Sequence, residues 1–155
     1  MRVGIGYDSH RFAEGRKLIL AGVPIPHPQG LAGHSDADVV AHALTDALLG
    51  AAGLGDIGTL FPNSDPQWRD ADSIGLLRRA HAQVIERHLH FVQADITVIA
   101  EQPRIGTYVA AMRERLAGAL DAAVSQLSVK GKSNEGMGFI GRGEGIAAIA
   151  VALLE

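Results

Sequence analysis

Residues 146–154, IAAIAVALL, place nine apolar side chains in succession. A helix needs about 20 such residues to cross a bilayer, so this segment has to be covered by protein. It reads as a final buried strand, although periodicity alone also permits a helix. Covering it requires a substantial core. A chain of 155 residues, 47% hydrophobic and 20% charged, can supply one. We expect one α+β domain over residues 1–155, a two-layer sandwich in which helices pack on one face of a mixed β-sheet.

The remaining elements follow from local pattern. Alternating Val3, Ile5 and Tyr7 predict a first strand ending at Asp8. KLILAGVPIP, residues 17–26, reads as a second, interrupted by two prolines. In HSDADVVAHALTDALLGAAG, Ser35 is the expected N-cap, with Asp38 at capping-box distance. Val40, Leu44, Ala47, Leu48 and Ala51 form a helical stripe for the core, and Asp38, His42 and Asp46 lie opposite. A turn-rich loop, 55–70, leads to a second helix carrying Ile74, Leu77, His81, Val84 and Ile85. FVQADITVIAE predicts a strand, 108–123 a third helix, and SVKGKS a short strand.

Charge and composition exclude several classes of function. The net charge is −3 with no basic block, which argues against a sequence-independent grip on nucleic acid. There is no cysteine, hence no disulfide framework, thiolate metal site or cysteine nucleophile. Any metal must be held by His, Asp or Glu. MRVGIGYD shows no signal-peptide pattern, so a cytoplasmic protein without membrane attachment is expected.

Two stretches carry candidate chemistry. In GYDSHRF, Asp8 and His10 stand two apart, so an extended backbone points both to one side. That is half a metal site or a solvated turn. The block from His34 to His42 adds further His and Asp, and two His with one Asp suffice for zinc with one position open to substrate. In VKGKSNEGMGFIGRGEG, Lys130, Lys132, Arg142 and Ser133 suit phosphate, and the glycines allow close backbone approach. A P-loop is excluded, because Gln126 occupies its first glycine and glycines oppose the helix that should follow. A tight hairpin bearing surface charges is the alternative. Glu135 among phosphate-seeking groups calls for a cation such as Mg²⁺ between them.

GYDSHRF, GHSDADVVAHALTDALLGAAGLGDIGTLFP, the ADS at 71–73 and GFIGRGEGIAAIAVALL together resemble the 2-C-methyl-D-erythritol 2,4-cyclodiphosphate synthase family, in order and along the whole chain. The resemblance implies an enzyme of non-mevalonate isoprenoid biosynthesis. Such an enzyme cyclises 4-diphosphocytidyl-2-C-methyl-D-erythritol 2-phosphate to the 2,4-cyclodiphosphate and releases CMP. It implies Asp8, His10 and His42 as ligands to Zn²⁺, and Glu135 as ligand to a second ion, Mg²⁺ or Mn²⁺. His34 and Ser133 match the catalytic positions. Asp56, Ile57 and Gly58 match the ribose site; Ser35, Phe61, Pro62, Asn63, Ser64 and Asp65 match the methylerythritol phosphate site. Ala100, Glu101, Gln102, Pro103, Arg104, Ile105 and Gly106 match the cytosine pocket, while Lys132 and Asn134 fall beside the diphosphate. The family is a homotrimer with active sites between subunits. Phe139, Arg142 and Glu144 match residues near a central cavity that takes isoprenoid diphosphates in some members. Ser133 and Lys132 stand where Thr is common, and Asn63 where Asp is frequent.

Overall fold

The computed structural model describes all 155 residues. In chain order the elements are β1 (Arg2–Ala13), β2 (Leu18–Leu20), β3 (Val23–Ile25), β4 (Gly30–Leu31), α1 (Val39–Ala52), the single turn α2 (Ile57–Leu60), α3 (Ser73–Glu86), β5 (Phe91–Ile99), α4 (Val109–Ala119), β6 (Leu127–Lys132), the single turn α5 (Gly138–Gly141) and β7 (Gly145–Leu154). The main sheet runs in the order β4-β1-β7-β5-β6. It is mixed, since β5 and β6 are parallel while the other neighbours are antiparallel. The C-terminal apolar run is therefore a strand near the centre of the sheet.

Three local expectations are corrected. The first strand continues through Asp8 to Ala13, because β7 pairs with it from Arg2 to Arg11. Asp8 and His10 are thus held inside a strand and not at its end. Residues 17–26 form a hairpin with β2 and β3 as its arms. Its turn is Ala21-Gly22, both at positive φ (52° and 71°), as the right-handed twist of a tight hairpin requires. The N-cap of α1 is Asp38 and not Ser35, because Ala37 at φ 59° turns the chain before the helix begins.

That cap does more than start a helix. Asp38 Oδ1 accepts from the N–H groups of Val40 and Ala41 at 3.1 Å each, and from Ala21 at 2.8 Å. Oδ2 accepts from Gly22 at 2.6 Å. One fully buried carboxylate thus ties the hairpin turn to the start of α1. Burial pushes its pKa up to about 6, against the backbone N–H of Ala41 and with the charge of Asp36 adding to the rise.

α1 lies directly on β1 and β7, with α3 against α1 and α4, and α4 over β6. The close approach is written in small residues. Gly4 and Gly6 of β1 face the helix, paired across the ladder with Ala152 and Ala150. A Cβ on Gly4 would stand 2.0 Å from the carbonyl oxygen of Ala47, and one on Gly6 1.9 Å from that of Ala43. No side chain separates strand from helix there. Sandwiched between sheet and α3, α1 is buried nearly all round, so Asp38 and His42 do not lie on a solvent face as their spacing suggested.

The other face of β1 and β7 carries Val3, Ile5, Tyr7 and Val151, exposed by 69, 70, 54 and 41%. Ile5 pairs with Val151, Val3 with Leu153 and Tyr7 with Ile149, giving a continuous apolar stripe that nothing in one chain covers. No helix is long and apolar enough to cross a membrane.

Candidate active site

Because α1 rests on the glycines of β1, the next side chains along that face meet the helix at one point. Asp8 Oδ2 lies 2.9 Å from His10 Nε2 and 3.0 Å from His42 Nδ1, and the two ring nitrogens are 3.2 Å apart. A tetrahedral ion with bonds of about 2.0 Å has ligand-to-ligand edges of about 3.3 Å. The triangle fits that size, and no other group of three His, Asp or Glu ligand atoms in the chain is so placed. His10 Nδ1 donates to the Ala32 carbonyl at 2.6 Å, which leaves Nε2 for the cluster. On the far side of its ring, His42 Nε2 is 2.9 Å from Ser73 Oγ and 3.1 Å from Ser35 Oγ.

Burial raises the Asp8 carboxyl pKa, but the hydrogen bonds and charges of His10 and His42 outweigh it and hold the group well below the usual carboxylate range. Burial opposes the charge on His10; Asp8 more than compensates, and the imidazole pKa rises. A cation must displace that proton. Zinc affinity of the metal-free chain is therefore expected to fall as pH falls, with proton competition reaching to higher pH than an ordinary imidazole would give. Chelator competition from about pH 5 to 8 measures it; an affinity independent of pH across that range contradicts the triad.

The triad opens into a recess of about 220 Å³ lined also by His34, Ser35, Ile57, Gly58, Phe61 and Asn63, all singled out from sequence. Gly33, Trp68 and Leu76 complete it and were missed. Trp68 stands edge-on to Phe61 with ring centroids 5.0 Å apart, and together with Leu49 and Leu76 they belong to a small apolar cluster behind the recess. The only tryptophan of the chain, set in a turn-rich loop, was the signal available in sequence. Asp56 caps α2, accepting from the Thr59 N–H and hydroxyl at 2.7 Å each. Pro62, Ser64, Asp56 and Asp65 stand outside the lining. Asp46, one turn after His42, accepts from Ile57 N–H at 2.7 Å and so anchors α2 beside the triad.

A second recess, about 570 Å³, is lined by every residue from Ala100 to Gly106, with Lys132 and Ser133. Val98 and Gly131 complete it. Gly131 is needed because a Cβ there would come within 2.8 Å of Ile105. Glu101 Oε1 accepts from the N–H groups of Asn134 and Gly136, at 2.8 and 3.2 Å. It grips the backbone on both sides of Glu135, which takes φ 52° and accepts from the Ser133 hydroxyl at 3.0 Å. This recess shares no lining residue with the first. In a single chain Glu135 does not join the triad's ligand atoms. A third recess, about 630 Å³, includes Ser9, Arg11, Phe139 and Glu144; Arg142 lies outside it, paired with Glu144 at 2.6 Å.

Fold and triad define an α+β protein with an Asp-His-His divalent-metal cluster beside an open recess. The YgbB family model matches residues 1–155, and the chain belongs to that family. It is 58% identical over 154 residues to the 2-C-methyl-D-erythritol 2,4-cyclodiphosphate synthase of Symbiobacterium thermophilum, covering 99% of this chain and 98% of that protein. A solved 2C-methyl-D-erythritol-2,4-cyclodiphosphate synthase in a CDP-bound form is 41% identical, with a TM-score of 0.91 over 99% of this chain and 100% of that one. The bifunctional IspDF of Campylobacter jejuni is 44% identical with a TM-score of 0.95, over 99% of this chain and 42% of that one.

Proposed function

We propose that this chain, working as one domain, is a 2-C-methyl-D-erythritol 2,4-cyclodiphosphate synthase. It cyclises 4-diphosphocytidyl-2-C-methyl-D-erythritol 2-phosphate and releases CMP. The observation that carries the reading is the Asp8-His10-His42 triangle at the mouth of a recess, in a chain so close to synthases over its full length. The CDP named in the solved relative suits the second recess, whose loop 100–106 would enclose the cytosine.

The reaction is an intramolecular phosphoryl transfer. An oxygen of the 2-phosphate attacks the β-phosphorus, a new P–O bond forms, and the α,β anhydride bond breaks with CMP taking its electrons. A phosphate monoester has a second pKa near 6, so the nucleophile is mostly dianionic at neutral pH and needs no strong base. What the protein must do is align the groups and neutralise charge. Zn²⁺ held by Asp8, His10 and His42 would supply Lewis-acid polarisation of the β-phosphate. Glu135 would hold the second ion, Mg²⁺ or Mn²⁺. His34 and the Ser133 hydroxyl would donate hydrogen bonds where charge develops, each worth about 3 kcal/mol in such sites. His34 is well placed to be held still, since Arg16 donates to the carbonyls on either side of it, Gly33 at 3.1 Å and Ser35 at 2.5 Å.

One chain presents the two halves of the site in separate recesses, so the working form would be a homotrimer with the sites between neighbours. The apolar stripe of Val3, Ile5, Tyr7 and Val151 supports this. A strand as uniformly apolar as β7 suits burial on both faces, and one chain covers only one. The recess with Phe139 and Glu144 would face the trimer axis, where an isoprenoid diphosphate could sit. A cytoplasmic location is in keeping with this role.

His42→Ala should abolish turnover, by about a thousandfold or more, and not merely raise KM. Steady-state assay of the zinc-supplemented variant, with its oligomeric state checked by light scattering, measures it. Full activity in that variant overturns the assignment.

A further inference from the structure

The loop after β5 and the turn after β6 are far apart in sequence but tied together in space. Ala100 N–H donates to the Lys132 carbonyl at 2.9 Å, which carries the β5–β6 pairing past the end of β5. Ile105 closes over Gly131. Glu101 makes the third tie. Its Oε1 accepts from the N–H groups of both Asn134 and Gly136 and so straddles Glu135. Between those two bonds the backbone is left-handed, with φ 52° at Glu135 and 73° at Gly136. A glutamate adopts that conformation only at a cost, so the surroundings have to hold it there. α5 closes on the same turn, since a Cβ on Gly141 would stand 2.1 Å from the Gly136 carbonyl carbon. The Glu135 carboxylate is thereby kept beside the Ser133 hydroxyl, at the edge of the recess that Ser133 lines. Glu101 belongs to none of the ion pairs of the chain. A carboxylate left free in a recess for a diphosphate would repel it; here the backbone N–H groups occupy it.

We infer that Glu101 is a positioning residue that ties the Glu135 carboxylate to the loop 100–106, so that a nucleotide in the recess and a divalent ion at Glu135 strengthen each other's binding; this rests on the function proposed above. A base enclosed by the loop fixes Glu101, and Glu101 fixes the backbone on both sides of Glu135. The carboxylate then meets an ion with its ordering already done. By reciprocity, an ion at Glu135 favours the loop position that takes the base. The tie depends on the reach of one acceptor oxygen and not on the charge of Glu101.

The test uses the full-length protein, CDP and Mg²⁺ as probes, and variants that separate reach from charge. Glu101→Gln keeps the acceptor oxygen without the charge. Glu101→Asp keeps the charge but falls one methylene short, and Glu101→Ala removes both. Calorimetric titration with CDP, in Mg²⁺ and in chelator, gives the gain in affinity that the ion brings. Wild type should gain about tenfold or more and Glu101→Gln nearly as much, while Glu101→Asp and Glu101→Ala should gain no more than about twofold. Glu135→Ala should lose the same gain, and adding Glu101→Ala to it should remove nothing further. Amide exchange read by NMR needs no ligand: the Asn134 and Gly136 N–H groups should exchange about tenfold faster or more in the Asp and Ala variants than in wild type. A full Mg²⁺ gain in Glu101→Asp and Glu101→Ala, or unchanged exchange at Asn134 and Gly136, overturns the inference. So does a loss of CDP affinity that is equal with and without Mg²⁺, which would make Glu101 a direct contact to the nucleotide. Wild type that binds CDP with no gain from Mg²⁺ overturns the cooperativity. Wild type that binds no CDP strikes the proposed function instead, and the exchange rates alone then decide whether Glu101 holds the turn.

Discussion

Gly6→Ala should cost about 3 kcal/mol or more of stability and take most of the zinc affinity with it. The new Cβ would lie 1.9 Å from the Ala43 carbonyl oxygen and 2.7 Å from the Ala47 N–H. Both are backbone atoms of a buried helix, so no rotamer change relieves the overlap. β1 and α1 must move apart. His42 precedes Ala43 in that helix, whereas Asp8 and His10 follow Gly6 in the strand, so the separation opens the triad. Denaturant titration gives the stability and chelator competition the affinity. Gly118→Ala is the matched control, since a Cβ there meets nothing within 4 Å and α4 should gain about 0.5–1 kcal/mol. A Gly6→Ala protein with unchanged midpoint and metal affinity would show that helix and strand have slack.

Asp38→Ala should be comparably severe, near 4 kcal/mol, roughly the sum of several orphaned donors. Four backbone N–H groups converge on this carboxylate, those of Ala21, Gly22, Val40 and Ala41. Leaving a buried donor without a partner costs about 1–3 kcal/mol, and some of these will find water. Asp38→Asn keeps Oδ1 for three of the four but sets an amide donor against Gly22 N–H. It should lose about 2 kcal/mol. Urea titration of the three proteins checks the order, wild type above Asn above Ala. An Ala variant within about 1 kcal/mol of wild type would mean that the hairpin turn and helix start hold each other by other means.

The sequence made the site legible where side-chain chemistry decides, and obscure where backbone shape decides. Asp8-x-His10 pointed to one side of a strand from spacing alone, but only the ladder to β7 shows the strand continuing to Ala13. Gly4 and Gly6 carry no side chain to announce a role; in the structure they bring the third ligand within reach. Ser35 looked like the cap because the rule counts residues, whereas the positive φ of Ala37 moves the cap to Asp38. His42 looked solvent-facing because amphipathic spacing assumes one covered side, and α3 covers the other. Ser73 lay in a motif already noted, yet its hydroxyl meets Asp36 and His42 only when α3 folds back. The loop 100–106 shows how far resemblance reaches: its residues do line one recess, but Glu101 turns its carboxylate to the backbone around Glu135. Trp68 escaped notice as one residue of a turn-rich loop, and Leu76 because the pattern of α3 advertises only core.

The most direct test of the central claim follows the phosphorus. Purified protein is incubated with 4-diphosphocytidyl-2-C-methyl-D-erythritol 2-phosphate and Mg²⁺, before and after zinc stripping, and the products are read by ³¹P NMR. Cyclic diphosphate and CMP in equal amounts, lost on stripping and restored by zinc, is the predicted result. A ring-free phosphate product would make the chain a phosphohydrolase, and no turnover from a zinc-loaded protein would contradict catalysis altogether.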